Sequence, residues 1–225
     1  ESGFVALDPN TGAIRAMIGG FNYFESKFNR ATQGGRLVGS GIKPLIYAAA
    51  LESGMTPATL INDAPVVFDQ TEGATDWRPQ NSGGTFLGPT RLRTALYRSR
   101  NLVSVRLVRE LGVNRIIDIA ERFGVDTTKL PRDLSISLGT ASLTPLEMAE
   151  TYTIFANGGF RVKNHLIDRI ESADGAVLYQ TRPVSVCQSD CDGRSVSVDL
   201  DFDNRLRPAK SDLFDLDYTD RIAPR

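Results

Sequence analysis

The chain contains one histidine, two cysteines and one tryptophan, and neither sign of charge dominates. Each scarcity removes a class of function. A histidine-based triad would have to use His165, which sits in the alternating stretch "RVKNHLIDRI" and reads as an ordinary strand residue. A zinc site needs about four Cys, His or carboxylate ligands, and this inventory nearly rules one out. Lysine plus arginine number 26 against 27 aspartates plus glutamates, a net charge of -1, so no global field recruits nucleic acid or an anionic membrane. The longest apolar stretches, such as "PLIYAAAL", fall far short of the ~18 residues of a membrane span. If the chain is an enzyme, its base is expected not to be histidine, and no cofactor or metal is expected.

What is present is an ordinary globular composition, 41% hydrophobic and 24% charged over 225 residues, enough to bury a real core. "GFVALDPNTGAIRAMIGG" has the alternation and turn chemistry of a β-hairpin. A helix is expected from about Ser40 to Glu52, stopped by Gly54. Residues 57–89 read as irregular, punctuated by proline and glycine. From Thr90 the pattern turns helical in "TRLRTALYRS", "LVSVRLVRELG" and "NRIIDIAERFG". "LTPLEMAETYTIFANGG" is a further helix: Thr144 caps, Pro145 suits the first position and Glu147 closes a capping box. "FRVKNHLIDRIESADGAVLYQ" reads as a second hairpin turning at "ADG". Beyond about Arg182 the pattern dissolves into an Asp-rich stretch. Its "DLDFDN" is not a calcium loop, because Asn204 and Lys210 stand where glycine and glutamate are needed.

The chemistry concentrates in two short elements. Ser40 and Lys43 form S-x-x-K at a helix start, in "RLVGSGIKPLIYAAALESG". Three residues apart they share a helix face, so the lysine nitrogen can reach the serine oxygen. Unpaired N–H groups at the helix start favour an oxyanion there, and Gly39 and Gly41 leave room for substrate. Lysine serves as a base only if burial, the helix field or another cation lowers its pKa by ~2 to 3 units. Average composition produces about one chance S-x-x-K in a chain this long, so a capping serine beside a solvated lysine is the plain alternative. Ser99 and Asn101, in "YRSRNLV", supply an S-x-N triplet between two expected helices. The pair matches the order of motifs in serine-type penicillin-binding proteins and β-lactamases.

Longer strings extend the match: "FNRATQ", "GSGIKPLIYAAAL", "WRPQN", "FLGPTRLRTALYRSRN" and "LSISLGTASLTPLEMAETYTIFANGG". From about Gly3 to Gln180 the chain resembles the transpeptidase domain of class A penicillin-binding proteins of the 1A type. The resemblance implies an α+β penicillin-binding/β-lactamase-like fold, with an antiparallel sheet and a mostly helical lobe. Residues 1–183 would be the transpeptidase portion and 184–225 a polar, Asp-rich loop or linker. It also implies a D,D-transpeptidase that cross-links peptidoglycan stem peptides through a serine acyl-enzyme at D-Ala-D-Ala and is inhibited by β-lactam antibiotics. Ser40 would be the nucleophile, Lys43 its activator, Ser99 a proton relay, and Asn101 the side chain holding Lys43 and the substrate amide. Trp77 falls in the loop beside the cleft and is a candidate for substrate binding. The partners implied are a D-Ala-D-Ala donor, an amine acceptor and β-lactams, at the periplasmic face of the inner membrane. A membrane anchor and a glycosyltransferase domain are expected outside this chain.

The pattern departs from the family in one place. No K-T-G or K-S-G occurs, and that strand is expected after Arg225, so the chain reads as part of a longer protein that lacks the later sheet strands. Cys187 and Cys191 flank "QSD" and can be read as a short disulfide or as two free thiols. Two other functions compete: a D,D-carboxypeptidase or β-lactamase-like hydrolase, and a non-catalytic β-lactam-binding module. Hydrolysis calls for a carboxylate to activate water, and no glutamate can be assigned to that role.

Overall fold

The structure, a computed structural model, describes residues 2–68, 76–186 and 222–224. Its helices begin and end where local chemistry dictates. α1 (Lys43–Glu52) follows a 3-10 turn at Gly39–Ile42 and carries Pro44 in its first turn, where no N–H is needed. The expected helix start at Ser40 is thus a tighter turn, and the α-helix proper begins at Lys43. α2 (Leu92–Tyr97), α3 (Asn101–Leu111) and α4 (Val113–Arg122) follow, with Gly112 at φ +88 making the sharp junction between the last two. α5 (Pro145–Ala156) has the complete capping box: Glu147 N–H donates to Thr144 Oγ1 at 3.2 Å, and Thr144 N–H donates to Glu147 Oε2 at 2.8 Å. Thr144→Ala is expected to lower stability by about 1 kcal/mol, read as a shift in the denaturant midpoint at unchanged slope.

The core lies where α1, α3 and α4 meet. Ile42, Ile46, Leu107, Ile116, Ile119 and Ile136 are among its fully buried side chains. α3 and α4 each bury one apolar stripe and turn charges outward, as amphipathic helices do.

Among the described residues all strand pairs are antiparallel two-stranded ladders. β1 (Phe4–Leu7) and β2 (Ile14–Ile18) form the first expected hairpin, and β1 packs on α5. β3 (Arg36–Leu37) pairs with β6 (Ser142–Leu143) just before the 3-10 turn. β4 (Leu60–Asp63) pairs with β5 (Gly88–Arg91), so the span read as irregular contains a ladder. β7 (Arg169–Glu171) and β8 (Val177–Gln180) form the second hairpin. His165 lies outside it, in an isolated parallel bridge to Ala13. β9 (Val184–Val186) pairs with β10 (Ile222–Pro224), and Val186 N–H donates to Asn10 O at 2.8 Å in the turn of the first hairpin. Cys187, Cys191 and the Asp-rich stretch lie outside the described residues. No helix of the described residues is long and apolar enough to cross a membrane.

Candidate active site

Three segments converge on the start of α1. The first is the 3-10 turn itself, which exposes Ser40 while Lys43, three residues on, is only 1% exposed. The β3–β6 ladder holds this turn: Val38 N–H donates to Ala141 O, and Gly39 N–H to Gly139 O, both at 3.0 Å. From α5, Tyr152 Oη donates to Gly41 O at 3.0 Å. The second segment is the α2–α3 turn. Ser99 has φ +52, the one positive φ among the described non-glycine residues, and Asn101 opens α3. The third is "WRPQN", whose Gln80 carbonyl accepts from Asn101 Nδ2 at 2.9 Å.

These placements bring Ser40, Lys43, Ser99 and Asn101 together. Lys43 Nζ donates to Ser99 O at 2.7 Å, to Ser99 Oγ at 2.9 Å and to Asn101 Oδ1 at 2.7 Å. Ser99 Oγ in turn is 2.9 Å from Ser40 Oγ. The link from lysine to serine therefore runs through Ser99, rather than along the helix face as the spacing of Ser40 and Lys43 implies. Burial, and then the nearby Arg100 guanidinium, pull the Lys43 pKa down to about 8. At that value roughly one molecule in ten is neutral at pH 7, against roughly one in three thousand for an ordinary lysine.

Trp77 stacks on Phe68, with ring centroids 5.2 Å apart, and the two backbones form an isolated bridge. It stands in the loop that supplies Gln80 and Asn81 to the α2–α3 turn. Sequence reasoning passed over Asp63, Asn81 and Arg100, which are buried behind that turn. The contacts that join Asp63 to Asn81 and to Arg100 span 18 and 37 residues, and no local spacing marks them.

The sequence model of the penicillin binding protein transpeptidase domain matches residues 2–190. The chain belongs to this transpeptidase family. Penicillin-binding protein 1A of Pseudomonas aeruginosa is 50% identical over 83% of this chain, and that of Escherichia coli is 41% identical over 85%. The chain spans 23% and 22% of their lengths, respectively. The crystal structure of penicillin-binding protein 1A from Haemophilus influenzae superposes with a TM-score of 0.79 at 41% identity, covering 82% of this chain and 28% of that one. The imipenem acyl-enzyme complex of penicillin-binding protein A from M. tuberculosis has a TM-score of 0.70 at 25% identity, covering 82% of this chain and 52% of that one. The fold is that of penicillin-binding transpeptidase domains, α+β with small antiparallel ladders beside a helical lobe.

Proposed function

We propose that the chain carries the nucleophile and base of a D,D-transpeptidase that cross-links peptidoglycan stem peptides and is acylated by β-lactams. The observation that carries this reading is the unbroken line Ser40 Oγ, Ser99 Oγ, Lys43 Nζ, with both steps 2.9 Å. Hydroxyl hydrogens rotate, so the line can run in either direction. With Lys43 neutral, Ser40 donates to Ser99 and Ser99 donates to Nζ. As Ser40 Oγ bonds to the carbonyl carbon of the penultimate D-alanine, one proton moves along each link and Lys43 becomes an ammonium. When the C–N bond breaks, the same line returns a proton to the departing D-alanine amine. An acceptor amine then attacks the ester, loses its proton, and Ser40 leaves reprotonated. General acid–base assistance of this kind contributes about 10²–10⁴ in rate.

Asn101 Oδ1 holds Lys43 and keeps a second lone pair for a substrate N–H. Trp77 would contribute to substrate binding from the same loop. Among the described residues no carboxylate is hydrogen-bonded to Ser40, Lys43, Ser99 or Asn101. In this reading residues 1–183 belong to the transpeptidase domain and 184–225 to a polar connection, with the enzyme anchored at the periplasmic face of the inner membrane by a segment outside this chain. Labelled penicillin incubated with the complete protein should leave its adduct mass on the peptide containing Ser40. An adduct on any other serine, or none, overturns the assignment.

A further inference from the structure

The residue between Ser99 and Asn101 has a surrounding that the acylation chemistry does not itself require. Arg100 is 8% exposed, and its Nε donates to Asp63 Oδ2 at 2.7 Å. Its guanidinium also donates to the Thr85 carbonyl. Asp63, fully buried at the end of β4, accepts from Leu87 N–H at 3.0 Å and from Asn81 Nδ2 at 2.8 Å. Asn81 in turn accepts the Leu102 N–H at 3.2 Å through Oδ1. One buried carboxylate thus grips the chain on both sides of Asn101, at Arg100 directly and at Leu102 through Asn81.

Between these grips and α2 sits Ser99, in a left-handed conformation that L residues hold only when their surroundings impose it. That conformation presents both its carbonyl and its hydroxyl to Lys43. We propose that Asp63, Arg100 and Asn81 form a clamp that positions Ser99 and Asn101 on Lys43, with the Arg100 cation also acting on Lys43. This rests on the transpeptidase reading above. A buried ion pair is a poor source of stability compared with apolar packing of similar volume. Its presence beside the reactive turn is explained by what the guanidinium does there, fixing geometry through a planar fork and adding positive charge near a buried amine.

Among the described residues the groups around Lys43 are few. Its own segment contributes Ser40 and, one turn on, Tyr47, whose hydroxyl burial pushes up to about 12, so that it is uncharged at the pH values of interest. The α2–α3 turn contributes Ser99, Arg100 and Asn101, with Asp63 behind Arg100. Arg93 of α2 is exposed. On α4, Arg115 and Arg122 pair with Glu52 at the far end of α1, and the 3-10 turn at Leu134–Leu138 has no ionisable side chain. Arg100 is therefore the cation whose removal should be felt by Lys43.

The test uses the complete protein and a labelled penicillin, with acylation rate followed from pH 5.5 to 10 and folding checked by melting temperature. In the wild type the rate should rise with pH, reach half its plateau near pH 8 and level off above about pH 9. Arg100→Gln removes the cation, so less Lys43 is neutral at a given pH. The rising limb should move to higher pH, and because Gln cannot span Asp63 and Thr85 the plateau should fall as well. Arg100→Lys keeps the charge but cannot span Asp63 and Thr85. Its limb should stay in place while the plateau falls at least tenfold. Asp63→Asn keeps the cation and should not move the limb upward. If Arg100→Gln does not fold, the double variant Arg100→Met with Asp63→Leu replaces the pair by apolar groups and should show the same upward shift. A folded Arg100→Gln or Arg100→Lys with the wild-type plateau overturns the clamp, and a folded Arg100→Gln or double variant with the wild-type limb overturns the action of the Arg100 cation on Lys43. Failure of the wild type to be labelled at Ser40 overturns the transpeptidase reading instead, so the two failures are distinguishable.

Discussion

Lys43→Met is expected to slow acylation by penicillin about 10³-fold or more while leaving the protein as stable as the wild type. The rate loss follows from the site. In the proposed mechanism Lys43 Nζ is the terminus of the proton line from Ser40, and methionine fills the space of the buried stem without offering a lone pair of comparable basicity. The stability expectation needs the opposing effects weighed. In the wild type, burial holds the folded pKa at about 8 against 10.5 in the unfolded chain. Below pH 8 the folded state therefore carries a penalty on the order of 3 kcal/mol for keeping a charge inside. Methionine removes that penalty but leaves Ser99 O and Asn101 Oδ1 short of a donor, at about 1–3 kcal/mol each. These nearly offset, so the melting temperature should change little at pH 7. The sign of the pH dependence gives a second reading. Between pH 8 and 10.5 the unfolded chain binds more protons at this position than the folded one, so wild-type stability should rise with pH across that window. In Lys43→Met that rise should vanish. Lys43→Arg should be as slow as methionine because arginine stays protonated. A folded arginine variant with near-normal acylation would show that Lys43 is not the base.

How much of this could be read beforehand depended on the distance over which each feature is encoded. The α5 cap is written within four residues, Thr144 to Glu147, and the structure has it. The S-x-x-K and S-x-N elements are each local, and their types pointed to one another. That Ser99 stands between Ser40 and Lys43 is not local, because the contacts join positions 56 and 59 apart. The same reason hid the β4–β5 ladder: four-residue strands separated by a proline- and glycine-rich span show no alternation long enough to register. Asp63 in "LINDAP" looks like a turn residue, and only its burial against Arg100 shows otherwise. The helix start shifted for a related reason. Gly39 takes φ +51 while its N–H is held by Gly139, a hundred residues away, and this tightens the chain through Ser40.

Gly139→Ala should be the most damaging single-atom-scale change available near Ser40, the proposed nucleophile. Gly139 lies at φ +71 and ψ 44, where glycine alone is free of strain. More important is what a Cβ would meet: the carbonyl oxygen of Gly39 at 1.9 Å, its carbonyl carbon at 2.5 Å and its nitrogen at 2.6 Å. These are backbone atoms of the residue before Ser40, so no rotamer change relieves the collision. Either the Leu134–Leu138 turn retreats, breaking the Gly39 N–H to Gly139 O bond, or the 3-10 turn moves and carries Ser40 Oγ away from Ser99. A displacement near 1 Å at the reacting atom costs about 10² in rate. We expect acylation to fall at least 10²-fold, with a stability loss of about 3 kcal/mol or more. Gly54→Ala separates conformational strain from collision. Gly54 has φ +93 and open space where its Cβ would lie, so that variant should lose about 1–2 kcal/mol and keep its acylation rate. Equal losses of stability in the two alanine variants, with Ser40 labelled at the wild-type rate in both, would mean that the contact between Gly139 and Gly39 does not hold the nucleophile in place.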